Sequence, residues 1–419
     1  MLLGCIADDF TGATDLANSL ARQGLGTLVS IGVPKRGLEK LGIDSLVVAL
    51  KSRTIAAPYA VEASLHALRA LRNAKAQQYY FKYCSTFDST DAGNIGPVAD
   101  AMLAELGESF TVACPAYPIY KRTVYGGYLF AGDKLLSESE MRDHPLTPMT
   151  DSSLVRVLSR QTQGTVNLIP YPIVDRGSLA VRKAMMTLKS AGSRYAIVDA
   201  LSEDHLSSIG AACKNLKLVT GGSALARALA ENFKHRKKSK LDSRVRMSTK
   251  GGHSAVLAGS CSPSTQGQVM EMRKFRPSFS IDPLRIARGA DVASEVLEWA
   301  APRLSKLPLL IYSSKDAHAV REIQSTLGRN ESSGLIEKTF GVIAIGLVAL
   351  GVRNLVVAGG ETSGAVVSAL GVDSLRIEDE IEPGVPWTLT LGDPPMALAL
   401  KSGNFGGRHF FRRAFEVRP

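Results

Sequence analysis

Short apolar runs alternate with amphipathic segments along almost the whole chain. Leu2 to Ala7 reads as a buried strand, Thr11 to Gly24 has helical spacing, and Thr27 to Gly32 is a strand again. Ser45 to Leu50 follows. A helix is then predicted from about Pro58 to Ala76, with Ala60, Ala63, Leu65, Leu68 and Leu71 forming its apolar stripe. Tyr79 to Tyr83, Phe110 to Ala113, Tyr195 to Val198 and Lys217 to Val219 read as further strands. Strands separated by helices imply crossover units and a mainly parallel sheet. Arg122 to Phe130, with Gly126-Gly127 inside it, reads instead as a β-hairpin.

The pattern restarts late in the chain. A helix over Ser223 to Phe233 runs into a basic stretch ending near Gly251-Gly252. Strand Ala255 to Ala258 follows, then a helix opening near Ser262-Pro263, strands Leu309 to Tyr312 and Asn354 to Ala358, and late strands around Trp387 to Leu391 and Met396 to Leu400. The expected fold is α/β, with two domains that are each a mainly parallel sheet flanked by helices, and an active site in the cleft between them. Residues 1–235 would form the first domain, 236–252 a basic linker and 253–419 the second. The length agrees, because 419 residues exceed the about 250–300 that one hydrophobic core supports.

Composition narrows the class. The chain is 45% hydrophobic and 21% charged, ordinary for a globular protein. Its 6% aromatic content gives little support to a reader of nucleic acid by stacking. The net charge of +11 is concentrated in two places. Between Glu231 and Lys250 eight Lys or Arg face two acids, and from Arg408 to the end four Arg face one Glu, so these stretches hold nine of the eleven excess charges. Such runs are usually solvated linkers or tails, and no nucleic-acid partner is expected. Cys5, Cys84, Cys114, Cys213 and Cys261 are odd in number and form no CxxC pair, which argues against a disulfide framework or a zinc site. Two acids arrive after seven residues, unlike a signal peptide, and no run reaches the roughly 20 apolar residues of a membrane span. A cytoplasmic location without a membrane partner is expected.

Candidate chemistry gathers at strand ends. Ala358-Gly359-Gly360-Glu361-Thr362-Ser363-Gly364 leaves a strand for a helix, with Thr362 or Ser363 expected to cap that helix. Free N–H groups at a helix start favour a phosphate, although the turn is neither GxGxxG nor GxxxxGK[ST] and could serve geometry alone. Gly259-Ser260-Cys261-Ser262 and Lys401-Ser402-Gly403-Asn404-Phe405-Gly406-Gly407 are turns of the same kind, and three together favour a phosphate site. Lys401 would either offer charge to phosphates or be an exposed strand-end lysine.

Near the start, Asp8-Asp9 stand at the carboxyl end of the first strand, where parallel sheets place their active sites. One acid could meet ligand hydroxyls or act as general base while the other caps the helix or holds a cation. Lys51-Ser52-Arg53-Thr54 and Lys82, Ser85, Asp88 and Ser89 mix bases with hydroxyls at two other strand ends. That mixture suits a small hydroxylated anion or a merely solvated edge. Arg122 and His144 lie in irregular chain, His144 reading as a surface histidine. No HExxH, GxSxG or His pair with metal spacing occurs, so no dedicated metal site is expected.

ADDFTGATDLAN, FKYCSTFDST, RTVYGGYLF, MRDHPLTPMTD, VVAGGETSGAVV and ALKSGNFG together resemble the four-carbon acid sugar kinase family, from the first residues to the last twenty. The segments FKYCSTFDSTDAGNIGP and MRDHPLTPMTD look most like members acting on a 3-oxo acid rather than on threonate or erythronate. Tyr117 to Lys121 departs from the family by lacking an Asn- or Gly-containing run. The resemblance implies an N-terminal domain binding a sugar acid and a C-terminal domain binding ATP, with Mg²⁺ accompanying it. It implies phosphoryl transfer from ATP to the terminal hydroxyl of a four-carbon 3-oxo acid, and leaves open a homo-oligomer. It places nucleotide contacts at Ser260, Gly359, Gly360, Glu361, Thr362 and Gly403. Arg53, Lys82 and Arg122 become candidates for the substrate carboxylate, Ser85 and Asp88 for further substrate contacts, and Asp8 and Asp9 for the catalytic residues that hold hydroxyls, one of them accepting the nucleophile's proton. An NAD(P)-dependent oxidoreductase is the rival enzyme class, weakened by the missing GxGxxG after the first strand. A non-catalytic nucleotide-responsive protein is the other rival.

Overall fold

The computed structural model describes residues 1–34, 42–144, 146–235, 252–305, 307–313, 328–392 and 394–417, and the side chains of 329–333 are not considered. The chain divides into two units, Met1–Asp242 and Ser243–Pro419. Of the expected linker, 236–251 lies outside the described residues, as does Pro145.

In the first unit the main strands are β1 (Leu3–Ala7), β2 (Thr27–Ile31), β3 (Ser45–Ala49), β4 (Gln78–Lys82) and β5 (Thr111–Cys114). A separate antiparallel sheet holds β6 (Arg122–Tyr125), β7 (Tyr128–Ala131) and β8 (Lys134–Leu135), the predicted hairpin with one added strand. Then come β9 (Val166–Ile169), β10 (Tyr195–Val198) and β11 (Leu218–Gly221). The main sheet runs β2-β3-β1-β4-β11-β5-β10-β9, parallel throughout. β1, β3 and β4 are buried along their full length, which explains why their central residues are apolar in succession rather than alternating. The chain crosses from one side of β1 to the other between β3 and β4. This switch of direction opens a crevice beyond the carboxyl ends of those strands.

The second unit contains β12 (His253–Ala258), β13 (Ser278–Ser280), β14 (Leu309–Tyr312), β15 (Val352–Ala358), β16 (Ser374–Glu382), β17 (Val385–Thr390) and β18 (Ala397–Lys401), in the order β13-β14-β12-β15-β18-β17-β16. The five strands from β13 to β18 in that order are parallel, and β17 and β16 extend the sheet antiparallel. The apolar pattern does not predict β16, because Arg376, Glu378, Asp379 and Glu380 give it a polar reading; it is only partly buried. Under this sheet Trp387, Phe410, Phe411, Val356 and Leu310 share one core, with the Trp387 indole donating to the carbonyls of Ala414 (2.8 Å) and Val417 (2.6 Å).

Helix starts follow local chemistry. Asp9 caps Phe10–Arg22, and Ser262 caps Pro263–Met272 with Pro263 in the first turn. The helix after β15 differs from expectation. It begins at Gly360 behind Gly359, so Thr362 and Ser363 lie inside its first turn and neither caps it.

Candidate functional site

In the first unit, Asp8 and Asp9 follow β1, Arg53 follows β3, and Lys82 ends β4, so the strand order β3-β1-β4 brings all four to one edge. Arg53 grips Asp8 with a fork, Nε to Oδ2 at 2.9 Å and Nη2 to Oδ1 at 2.8 Å, and Nη2 also reaches Asp9 Oδ1 at 2.7 Å. Lys82 Nζ lies 3.5 Å from that same Asp9 oxygen, and Asp88 stands 3.7 Å from Arg53 Nη1. Asp9 further accepts from Thr11 Oγ1 (2.6 Å) and from the Gly12 amide (3.2 Å). A side chain on Gly12 would overlap the Lys82 ammonium, so the missing Cβ lets the lysine lie across the start of the helix. Asn94 holds the Arg53 segment from below, donating to the carbonyls of Ser52, Arg53 and Ile55.

The electrostatics follow from burial and neighbours. Desolvation alone would raise the carboxyl of Asp9, but Arg53 and Lys82 overcome it and hold Asp9 well below the usual range. Asp8 is raised, because its burial outweighs the help of Arg53. Lys82 is pushed upward despite burial by Asp9 and Asp8. Asp9 is therefore the firmly ionised member of the pair, in contact with both cations. Such a cluster can hold a carboxylate on its cations and hydroxyls on its acids.

The remaining candidates divide. Asp88 is buried and takes the Thr86 hydroxyl, while Ser85 is half-buried beside it. Arg122 is not joined to this cluster by a bond among the described residues; its Nη1 donates to the Tyr120 carbonyl at 3.2 Å. His144 is half-buried, and its ring meets Thr147.

Asp15 is absent from the candidates that the sequence suggests. It lies on the Phe10–Arg22 helix, which is buried all round from Phe10 to Leu20, with the Tyr117 hydroxyl 3.3 Å away. The sequence gives no signal for it, because helical spacing sets Asp15 with Thr11, Asn18 and Ser19 on the side opposite Ala13, Leu16, Ala17 and Leu20, and only the burial of that polar side singles it out. Burial, opposed by Lys82, pushes its carboxyl up to about 6. Between about pH 4 and 6 the folded protein thus keeps a proton that the unfolded chain has released, so stability falls with rising pH across that window and stays reduced above it. Asp15→Asn removes the buried charge. We expect it to raise stability at pH 8 by about 2 kcal/mol and to flatten the pH dependence between 4 and 6. Melting curves against pH check this, and an unchanged slope would refute it.

In the second unit, β12, β15 and β18 are adjacent and parallel, and the three Gly/Ser turns leave their carboxyl ends side by side. The amides of Gly259 and Ser260 donate to the Ala358 carbonyl (3.0 and 3.1 Å), and that of Gly359 to the Lys401 carbonyl (2.9 Å). Ser262 Oγ donates to the Gly403 carbonyl at 2.6 Å. Gly359 has φ of 124°, which side-chain-bearing residues rarely adopt, and a Cβ there would stand 3.1 Å from the Ser260 nitrogen. A Cβ on Gly259 would run into the Thr362 hydroxyl, and one on Gly403 into that of Ser260. Ser260, Gly359, Thr362 and Gly403 are thus packed together around bare backbone. Gly360 and Glu361 open the helix there. Lys401 matches neither expectation: it is fully buried, with its ammonium turned into the loop that follows it.

Residues 3–229 match the model of a sugar-binding N-terminal domain, and 255–411 that of a nucleotide-binding C-terminal domain. The chain is 53% identical over 417 residues to a 3-oxo-tetronate kinase of Burkholderia multivorans, covering 99% of this chain and 97% of that one. It is likewise 53% identical over 421 residues to a 3-oxo-tetronate kinase of Cupriavidus necator, covering 99% and 96%. Among solved structures, a Salmonella typhimurium LT2 protein given the provisional description of a tRNA synthase superposes with a TM-score of 0.84 at 43% identity over 98% of each chain. A Haemophilus influenzae protein superposes at 0.75, with 42% identity over 99% of each.

Proposed function

The chain belongs to the four-carbon acid sugar kinase family, and from that premise we propose that it transfers the γ-phosphoryl group of ATP to the C4 hydroxyl of a 3-oxo-tetronate. The observation that carries this reading is the full-length likeness to 3-oxo-tetronate kinases, at 53% identity. The first unit would take the sugar acid. Arg53 and Lys82 would face its carboxylate, and Asp8, Asp88 and Ser85 its oxygen functions, with Arg122 a more distant candidate. Asp9, ionised and already paired to two cations, would align the C4 hydroxyl and accept its proton as the O–P bond forms. The second unit would take the nucleotide, with its phosphates on the turns of Ser260, Gly359 to Thr362 and Gly403.

Phosphoryl transfer passes through a loose transition state, so the protein's contribution is alignment of donor and acceptor and neutralisation of charge. Among the described residues no three His, Cys, Asp or Glu side chains converge as a cage for a metal. Mg²⁺ seldom needs one, because it keeps waters and binds phosphate oxygens with one or two carboxylates. Glu361 is the acid in the first turn of the 360–369 helix, so an ion arriving with the triphosphate fits these residues. It would supply neutralisation of phosphate charge. We read the location as the cytoplasm, where ATP is at hand; among the described residues no helix is long and apolar enough to cross a membrane.

A screen of ATP consumption across threonate, erythronate and their 3-oxo forms tests the reading. ADP release is expected with a 3-oxo acid. Preference for a non-oxidised acid would overturn the substrate assignment, and silence with every acid would overturn the kinase.

A further inference from the structure

Lys401 ends β18 fully buried, and every bond its ammonium makes is to an uncharged oxygen. Those oxygens are Thr265 Oγ1 at 3.0 Å and the carbonyls of Ser402 (2.9 Å), Gly403 (2.9 Å) and Phe405 (3.1 Å). An ammonium has three donors and no acceptor, so a shell made of acceptors suits its charged form. Rings of backbone carbonyls hold potassium ions in the same way, replacing their water. Burial pulls the ammonium down to about 7, opposed by the more distant Glu382.

The same loop is held from a second direction. Gln268 Nε2 donates to the carbonyls of Phe405 (3.1 Å), Gly406 (3.0 Å) and Gly407 (3.1 Å), and Thr265 and Ser262 both donate to that of Gly403. A trans peptide points its C=O and N–H in opposite directions. Drawing in the carbonyls of Ser402, Gly403 and Phe405 therefore turns out the N–H groups of Gly403, Asn404 and Gly406. None of those three amides has a protein partner among the described residues. Successive outward N–H groups of this kind form an anion-binding concavity. Gly403 lies against Ser260, so this loop adjoins the turn after β12.

We propose that Lys401 is a positioning residue whose ammonium takes the place of a bound monovalent cation, holding the 402–407 loop with its carbonyls inward and its N–H groups toward the nucleotide phosphates. This rests on the reading that the three turns bind ATP. Lys401→Ala leaves the carbonyl shell empty. Losing this charge-assisted network should raise the KM for ATP about 30-fold with little change in the KM for the sugar acid. Adding K⁺ or NH₄⁺ should recover much of that loss, tetramethylammonium should not, and the unaltered enzyme should ignore all three.

A folded Lys401→Ala enzyme with the ordinary KM for ATP overturns the proposal, provided that Gly359→Ala still weakens ATP. If neither substitution affects ATP, the nucleotide reading of these turns falls as well. Should Lys401→Ala not fold, the unaltered protein decides. ATP must slow hydrogen exchange at the amides of Gly403, Asn404 and Gly406, and unchanged exchange there refutes the outward N–H groups.

Discussion

Asp9→Asn should lower kcat by about a thousandfold while leaving the dissociation constant of ATP within about twofold, because the substitution changes no part of the second unit. The expected loss comes from charge and proton acceptance rather than from folding. Asn caps a helix about as well as Asp, so the bond from the Gly12 amide has a replacement and the Phe10–Arg22 helix keeps its start. The amide cannot ionise, however. Arg53 would keep Asp8 and Asp88, Lys82 would lose the carboxylate it pairs with, and no ionised acceptor would meet the C4 hydroxyl at this position. Steady-state kinetics with calorimetric titration of ATP separates the two effects. Unchanged turnover would remove Asp9 from the reaction.

Gly359→Ala should act on the nucleotide instead, raising the KM for ATP about a hundredfold. At φ of 124° a side chain is strained whatever space surrounds it, and here its Cβ would also press on the Ser260 backbone nitrogen. Relief requires rotating the peptide that begins the 360–369 helix or displacing the turn after β12, and either costs about 1–3 kcal/mol. Because both movements disturb the backbone groups proposed to meet the phosphates, much of that cost should appear as lost affinity. Binding of the sugar acid to the first unit should be untouched. An ordinary KM for ATP in the folded variant would show that these turns do not hold the phosphates.

Much of this site is legible in the order of residues alone. Asp8 and Asp9 declare themselves by following an apolar run with nothing apolar to bury. The three Gly/Ser turns do so by their position after strands. The misreadings have a common cause. Thr362 and Ser363 look like caps because they have capping side chains, yet glycine at positive φ starts the helix a turn earlier. Lys401 looks exposed because lysine at a strand end usually is, and the carbonyls of its own loop together with Thr265 Oγ1 make its burial tolerable. Arg122 stands on the small β6–β8 sheet, and nothing in its local sequence reveals which residues it bonds.

Local pattern was enough to set most of the elements and their chemistry, since helical and strand periodicity, capping residues and glycine turns act over a few residues. It also carried the two-unit plan, in the restart of the alternation after the basic stretch. Long-range pairing alone dictated that Arg53, 45 residues away, closes on Asp8, that Lys82 crosses Gly12, and that β12, β15 and β18 lie side by side. These are matters of strand order. Strand order is set by pairing and burial between distant segments, and no local pattern encodes which strand will be a neighbour.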